Sequence, residues 1–133
     1  MTIQEIFDTV AVHLLKQGVR SVDLNNVCLY RGPNGLKCAV GALIPDELYA
    51  PEIEGVSVLT TTYDVSNETN PRVALLNQLL KKLGIAPCSD EKRLLIRLQY
   101  IHDSISYDPT SWRALLLKVA VKFNLNTHAI DGI

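Results

Sequence analysis

Apolar residues recur at Ile3, Ile6, Phe7, Val10, Ala11, Leu14 and Leu15. That three-four spacing is the pattern of a helix with one buried stripe. Thr2-Ile3-Gln4-Glu5 opens it as a capping box, in which the Thr2 hydroxyl takes the Glu5 amide and the Glu5 carboxylate reaches back to Thr2. Gly18 stands where a left-handed residue would stop the helix. Two later stripes repeat the pattern, one over Val73, Leu76, Leu79, Leu80 and Leu83, the other over Trp112, Leu115, Leu116, Val119, Ala120 and Phe123. Between them a helix is expected from about Asp90 to Ser106, with Ser89 as its N-cap. Asp108 is expected to cap the last helix, with Pro109 at its first position.

The middle of the chain reads differently. Cys28-Leu29-Tyr30-Arg31 suits a short strand, and Gly32-Pro33-Asn34-Gly35 is the strongest turn signal present. Residues 36 to 44 fit a returning strand or a short, tightly packed helix equally well. Val56 to Tyr63 is rich in Val and Thr, which favours a strand. The polar segment 66–71 reads as a turn-forming, mobile loop. The fold expected is α+β and helix-dominated: one N-terminal helix, a small β-hairpin or short sheet, then three helices. Residues 1–125 form a single globular domain on this reading, and 126–133 a loose C-terminal tail. Phe7, Leu98, Leu116 and Phe123 are expected to share its core.

Composition removes several classes of function. Hydrophobic residues make up 47% and charged residues 20%, which argues against disorder for the body of the chain. Lys and Arg number 13 against 14 Asp and Glu, so there is no overall basic field and nucleic acid is not an expected partner. The apolar runs are far too short for a bilayer span, so no membrane partner is expected. The N-terminus lacks the basic-then-apolar pattern of a signal peptide. Three cysteines, an odd and low count, fit a reducing cytosol. In that setting the sequon Asn67-Glu68-Thr69 is idle.

The chemistry concentrates between residues 28 and 46. Cys28 and Cys38 flank the turn, but zinc needs four ligands, and His13, His102, His128 and Cys88 show no paired ligand spacing. Free, apolar cysteines are the plainer reading, and neither a metal nor a cofactor is expected. Cys38 with His102 is a candidate nucleophile and base. Asp103 is a poor orienter for that imidazole, since helix neighbours point about 100° apart. Tyr30, Arg31 and Lys37, with Asp46 nearby, would suit a phosphate or carboxylate. The competing reading for that group is a solvated hairpin tip.

Three blocks, Cys28-Leu29-Tyr30-Arg31, Cys38-Ala39-Val40-Gly41-Ala42-Leu43-Ile44-Pro45-Asp46 and Leu98-Gln99-Tyr100-Ile101-His102-Asp103, resemble small uncharacterised proteins of tailed bacteriophages and prophages. The resemblance implies an accessory factor acting in the bacterial cytoplasm, one suited to countering a host defence. It supplies no catalytic residues. The resulting expectation is a non-enzymatic protein that binds a host protein or small anionic ligand through Tyr30, Arg31, Lys37, Cys38 and Asp46. The alternative is a hydrolase or transferase using Cys38 and His102. The apolar surplus of the helix over 73–83 adds the expectation of a homodimer.

Overall fold

The computed structural model describes residues 1–63 and 70–133. Five helices carry the fold: α1 (Ile3–Gln17), α2 (Ala39–Leu43), α3 (Pro71–Lys82), α4 (Asp90–Asp103) and α5 (Trp112–Lys122). The Thr2–Glu5 capping box forms as expected, and Gly18 ends α1 in the left-handed conformation. Ser89 caps α4 through the Lys92 amide. Asp108 caps a single 3-10 turn, Pro109–Ser111, which leads into α5. α4 lies at the centre, against α1, α2, α5 and the turn Val58–Thr61, while α3 packs on that turn and on Pro51–Ile53.

The α+β expectation is wrong: the fold is all-helical, and the described residues contain no sheet or hairpin. Extended pairing is limited there to two isolated antiparallel bridges, Val22–Cys28 and Arg31–Lys37. Two local causes account for this. After the Arg31–Lys37 bridge, Cys38 becomes the N-cap of α2, its Sγ taking the Gly41 amide at 3.3 Å, so the return strand ends as it begins. Residues 36 to 44 are therefore resolved in favour of the helix. The threonines of the second expected strand turn inward on their own backbone. The hydroxyls of Thr60, Thr61 and Thr62 donate to the carbonyls of Ser57, Val58 and Leu59 at 2.6, 2.7 and 2.7 Å. Such bonds satisfy locally what a ladder would otherwise supply, and a 3-10 turn results.

α2 fits closely against the segment before it. A Cβ on Gly41 would run into the Tyr30 carbonyl, so glycine alone admits the chain there. Phe7, Leu98 and Leu116 are fully buried together, and Phe123 packs partly buried against them. Val73, Leu76, Leu79 and Leu80 of α3 are also buried in this core, which absorbs the apolar surplus of that helix. Residues 126–133, read as a loose tail, lie against the helices. Gln4 and Asn126 exchange two hydrogen bonds at 3.1 Å, and Ile130 is buried. Most of the expected loop 66–71, and the sequon at 67–69, fall outside the described residues. No helix among the described residues is long and apolar enough to cross a membrane.

Candidate functional site

The segment richest in chemistry is largely occupied by its own fold. Glu54, which follows the Pro51–Ile53 turn, is the hub. Its Oε1 accepts the Tyr30 amide at 2.8 Å, and its Oε2 accepts the Arg31 amide at 3.0 Å and the Tyr49 hydroxyl at 2.7 Å. The Tyr30 ring is buried and its hydroxyl donates to the Val56 carbonyl. Arg31 donates to Asp46 and to the Ile44 carbonyl, each at 2.7 Å, and lies over the Tyr49 ring at 4.9 Å. The backbone of Lys37 is tied to α1: its amide donates to Gln17 and its carbonyl faces Gln17 and His13. Of the two expected cations, the Lys37 ammonium alone lacks a partner among the described residues. Asp46 is exposed and held by Arg31.

Cys38 and His102, the alternative nucleophile and base, are both buried. Cys38 is 1% exposed, and burial pushes its thiol up to about 12, the reverse of what a thiolate nucleophile needs. His102 is fully buried, with both ring nitrogens engaged. Nε2 accepts the Ser21 amide proton at 2.9 Å, which places the ring proton on Nδ1, 2.7 Å from Asp103 Oδ1. Asp103 does orient the imidazole, contrary to the helix-register expectation. It sits at the last residue of α4, where the side chain can swing back to its neighbour. The same Oδ1 accepts Gln99 Nε2 at 2.8 Å, and Gln99 Oε1 accepts the Val40 amide at 2.8 Å. This network pins residue 21 and the start of α2 onto α4.

Cys28, His102 and Asp103 each present one donor atom, all within 4.8 Å of one another. The tautomer tests whether they suit a metal. Ligation through Nδ1 would move the ring proton to Nε2, where it would oppose the Ser21 amide; Nε2 is already an acceptor. Burial, and then the Asp103 carboxylate, raises the Cys28 thiol to about 12. The group fits a hydrogen-bond network better than a metal centre.

What remains open lies along α4. A cleft of about 200 Å³ runs between residues 27–30, residues 55–58 and α4, and Asp103 is the charged side chain in its wall. Asp103 is 40% exposed there. A further hollow of about 300 Å³ continues past Ser57, Leu59, Ile96 and Tyr100. A third, about 240 Å³, lies beyond Tyr100 and is lined by Arg97, Tyr107 and Lys118. Tyr100 is 59% and Leu59 61% exposed. The Arg97 guanidinium has no hydrogen-bond or ion-pair partner among the described residues. The outer face of α4 thus carries an acid at one end, a free cation at the other, and an exposed aromatic between them.

Several residues that matter give no signal in the sequence. Arg20 donates to the carbonyls of His102, Ser104 and Tyr107, closing the C-terminus of α4. Lys92 reads as a surface charge at a helix start, yet it is 1% exposed. Its ammonium donates to the carbonyl and hydroxyl of Thr61 at 2.8 and 2.7 Å, and burial lowers its pKa to about 8. Gln99 and Glu54 are invisible there because their partners lie 59 and 24 residues away. Comparison with protein-family models, with curated proteins and with solved structures gives no match.

Proposed function

We propose that the protein is a non-enzymatic binding protein that engages a protein partner through the outer face of α4. One observation carries this reading. Along α4, Asp103, Tyr100 and Arg97 are accessible beside continuous hollows, whereas Tyr30, Arg31 and Cys38 are bound up within the chain. A rigid, half-exposed carboxylate against apolar walls favours a basic side chain flanked by an apolar one. A small anionic ligand fits that cleft less well, because it would face Asp103. The buried, protonated Cys38 and the engaged His102 weigh against a hydrolase or transferase. The resemblance to tailed-phage proteins would place the partner in a bacterial cytoplasm, as a host protein.

Titration of the isotope-labelled protein with the blocked peptide Ac-Leu-Arg-Leu-NH2 tests this. Amide shifts are expected at Ser57, Gln99, Tyr100 and Asp103, and their loss in Asp103→Asn, which keeps an oxygen for His102. Shifts centred on residues 30–46, or none at saturating peptide, would refute the reading.

A further inference from the structure

We propose that the hollow between α4 and α5 binds a small phosphate monoester that also carries a flat ring, the chemistry that a nucleoside monophosphate and an aryl phosphate share. The site lies beyond Tyr100 from the Asp103 cleft and does not rest on the docking reading above. α4 and α5 pack on each other and are joined through residues 104–111. The hollow of about 240 Å³ takes Arg97 and Tyr100 from α4, Tyr107 from the connection and Lys118 from α5, over an apolar floor that includes the buried Ile101 and Val119. Every polar side chain in its wall is a hydrogen-bond donor without a partner among the described residues: two cations and two phenols.

No neighbouring carboxylate balances the two cations. α5 contains no acid, and the α4 neighbours of Arg97 one turn away are Arg93, Leu94, Tyr100 and Ile101. Arg93 is taken up by Asp90. Asp108, next to Tyr107 in the chain, turns its carboxylate onto the Thr110 amide and hydroxyl. The fold gains nothing from two like charges that share a hollow, and an anion set between them offsets their repulsion. The charges also fix the class of that anion. A guanidinium takes phosphate oxygens through its planar fork, and an ammonium adds a point charge. A phosphate monoester carries close to two negative charges at neutral pH, which matches one arginine and one lysine; a carboxylate carries one. Tyr100 is 59% exposed and rests edge-to-face on Tyr107 at 5.8 Å, so its ring is held in place for a second aromatic contact. The hollow is smaller than the roughly 300–1,000 Å³ of pockets for drug-sized ligands, so the ligand is small.

Titration of the isotope-labelled protein with adenosine monophosphate at neutral pH tests the site. Saturable amide shifts are expected at Ile101, Tyr107 and Lys118. Adenosine, which lacks the charge, and inorganic phosphate, which lacks the ring, should each bind at least about tenfold more weakly. Phenyl phosphate in a parallel titration separates the two sources: binding tighter than adenosine monophosphate assigns an aryl phosphate, weaker binding a nucleotide. Arg97→Gln and Lys118→Gln should each weaken adenosine monophosphate at least about tenfold, while Lys118→Arg should stay within about threefold. Both positions are exposed, and unchanged amide peaks over α1 and α2 check that the variants fold. The absence of saturable shifts overturns the proposal, as do shifts centred outside this hollow, equal affinity for inorganic phosphate, or glutamine variants that bind like the native chain. If the arginine peptide maps to Ser57 and Asp103 while no phosphate monoester binds, the docking reading stands and this site falls. The converse result keeps this site and removes that reading.

Discussion

Residues 28–46 and the outer face of α4 are opposites in sequence and in structure. The former segment holds two thiols, two cations, a phenol and an acid in nineteen positions; the latter has the composition of an ordinary helix's wet side. Folding reverses their standing. Beyond two isolated bridges, the amides of Tyr30, Arg31 and Lys37 and the carbonyl of Lys37 find partners one at a time in side chains: Glu54, Gln17 and His13. Arg31 and Tyr30 then serve carbonyls at residues 44 and 56. The outer face of α4 already has its backbone satisfied by the helix, so Tyr100 and Arg97 stay exposed and Asp103 keeps 40% exposure while serving His102 and Gln99. Density of reactive residue types is therefore a poor guide to a site where the backbone is irregular, because irregular backbone consumes side chains.

The sharpest contrast lies within α4 itself. Leu98→Ala, on the inner face, should cost about 2–5 kcal/mol in denaturant unfolding as a large-to-small core change. Tyr100→Ala, on the outer face, should stay within roughly 0.5 kcal/mol. Equal losses would mean that the outer face is also structural. Glu54→Ala comes next, at about 2–4 kcal/mol, because it strands the amides of Tyr30 and Arg31 together. A silent Glu54→Ala would show that residues 28–37 do not depend on that carboxylate.

Lys92 extends the comparison to pH. Its native pKa is about 8 against an ordinary value of 10.5, so the folded state gives up a proton that the unfolded state keeps. Stability relative to Lys92→Met should therefore be lowest below about pH 8 and rise as the pH climbs from about 8 towards 10.5. Cys28 and Cys38, with thiols near 12, work in the opposite direction in alkali, and taking the difference from Lys92→Met cancels them. A flat difference across that window would mean the ammonium is hydrated in the folded protein. The smallest effect concerns the thiols. Cys88, which is exposed, should react first with a thiol reagent, and Cys38 only on unfolding. Prompt labelling of Cys38 in the native state would reopen its catalytic reading.

The helices are legible in the sequence because each carries its own instructions: the Thr2–Glu5 box, Ser89, Gly18 and the three-four stripes act within a few residues. The absence of a sheet is not legible. Val and Thr at 56–63 favour extended backbone by shape, but three consecutive threonine hydroxyls tip the balance to a 3-10 turn. The spacing along α4 correctly places His102 on the inner side of its helix. The same ideal geometry rules out its partner Asp103, and it fails because Asp103 stands at a helix end. Arg20, Glu54 and Gln99 carry no local signal at all, since a side chain's use depends on backbone groups far away in the chain. The pairing of residues 28–46 within the fold is hidden for the same reason: the sequence displays which groups exist, and the fold decides which remain unpaired.

Arg31 and Arg97 put that distinction to the most direct test. Urea unfolding of Arg31→Ala and Arg97→Ala, side by side in dilute solution, compares two arginines of identical chemistry. Arg31→Ala should lose about 1–3 kcal/mol, because the Ile44 carbonyl and the Asp46 carboxylate lose their donor. Arg97→Ala should change stability by less than roughly 0.5 kcal/mol. The reverse order, or equal losses, would contradict the claim that residues 28–46 hold the fold together while the outer face of α4 is left free to bind.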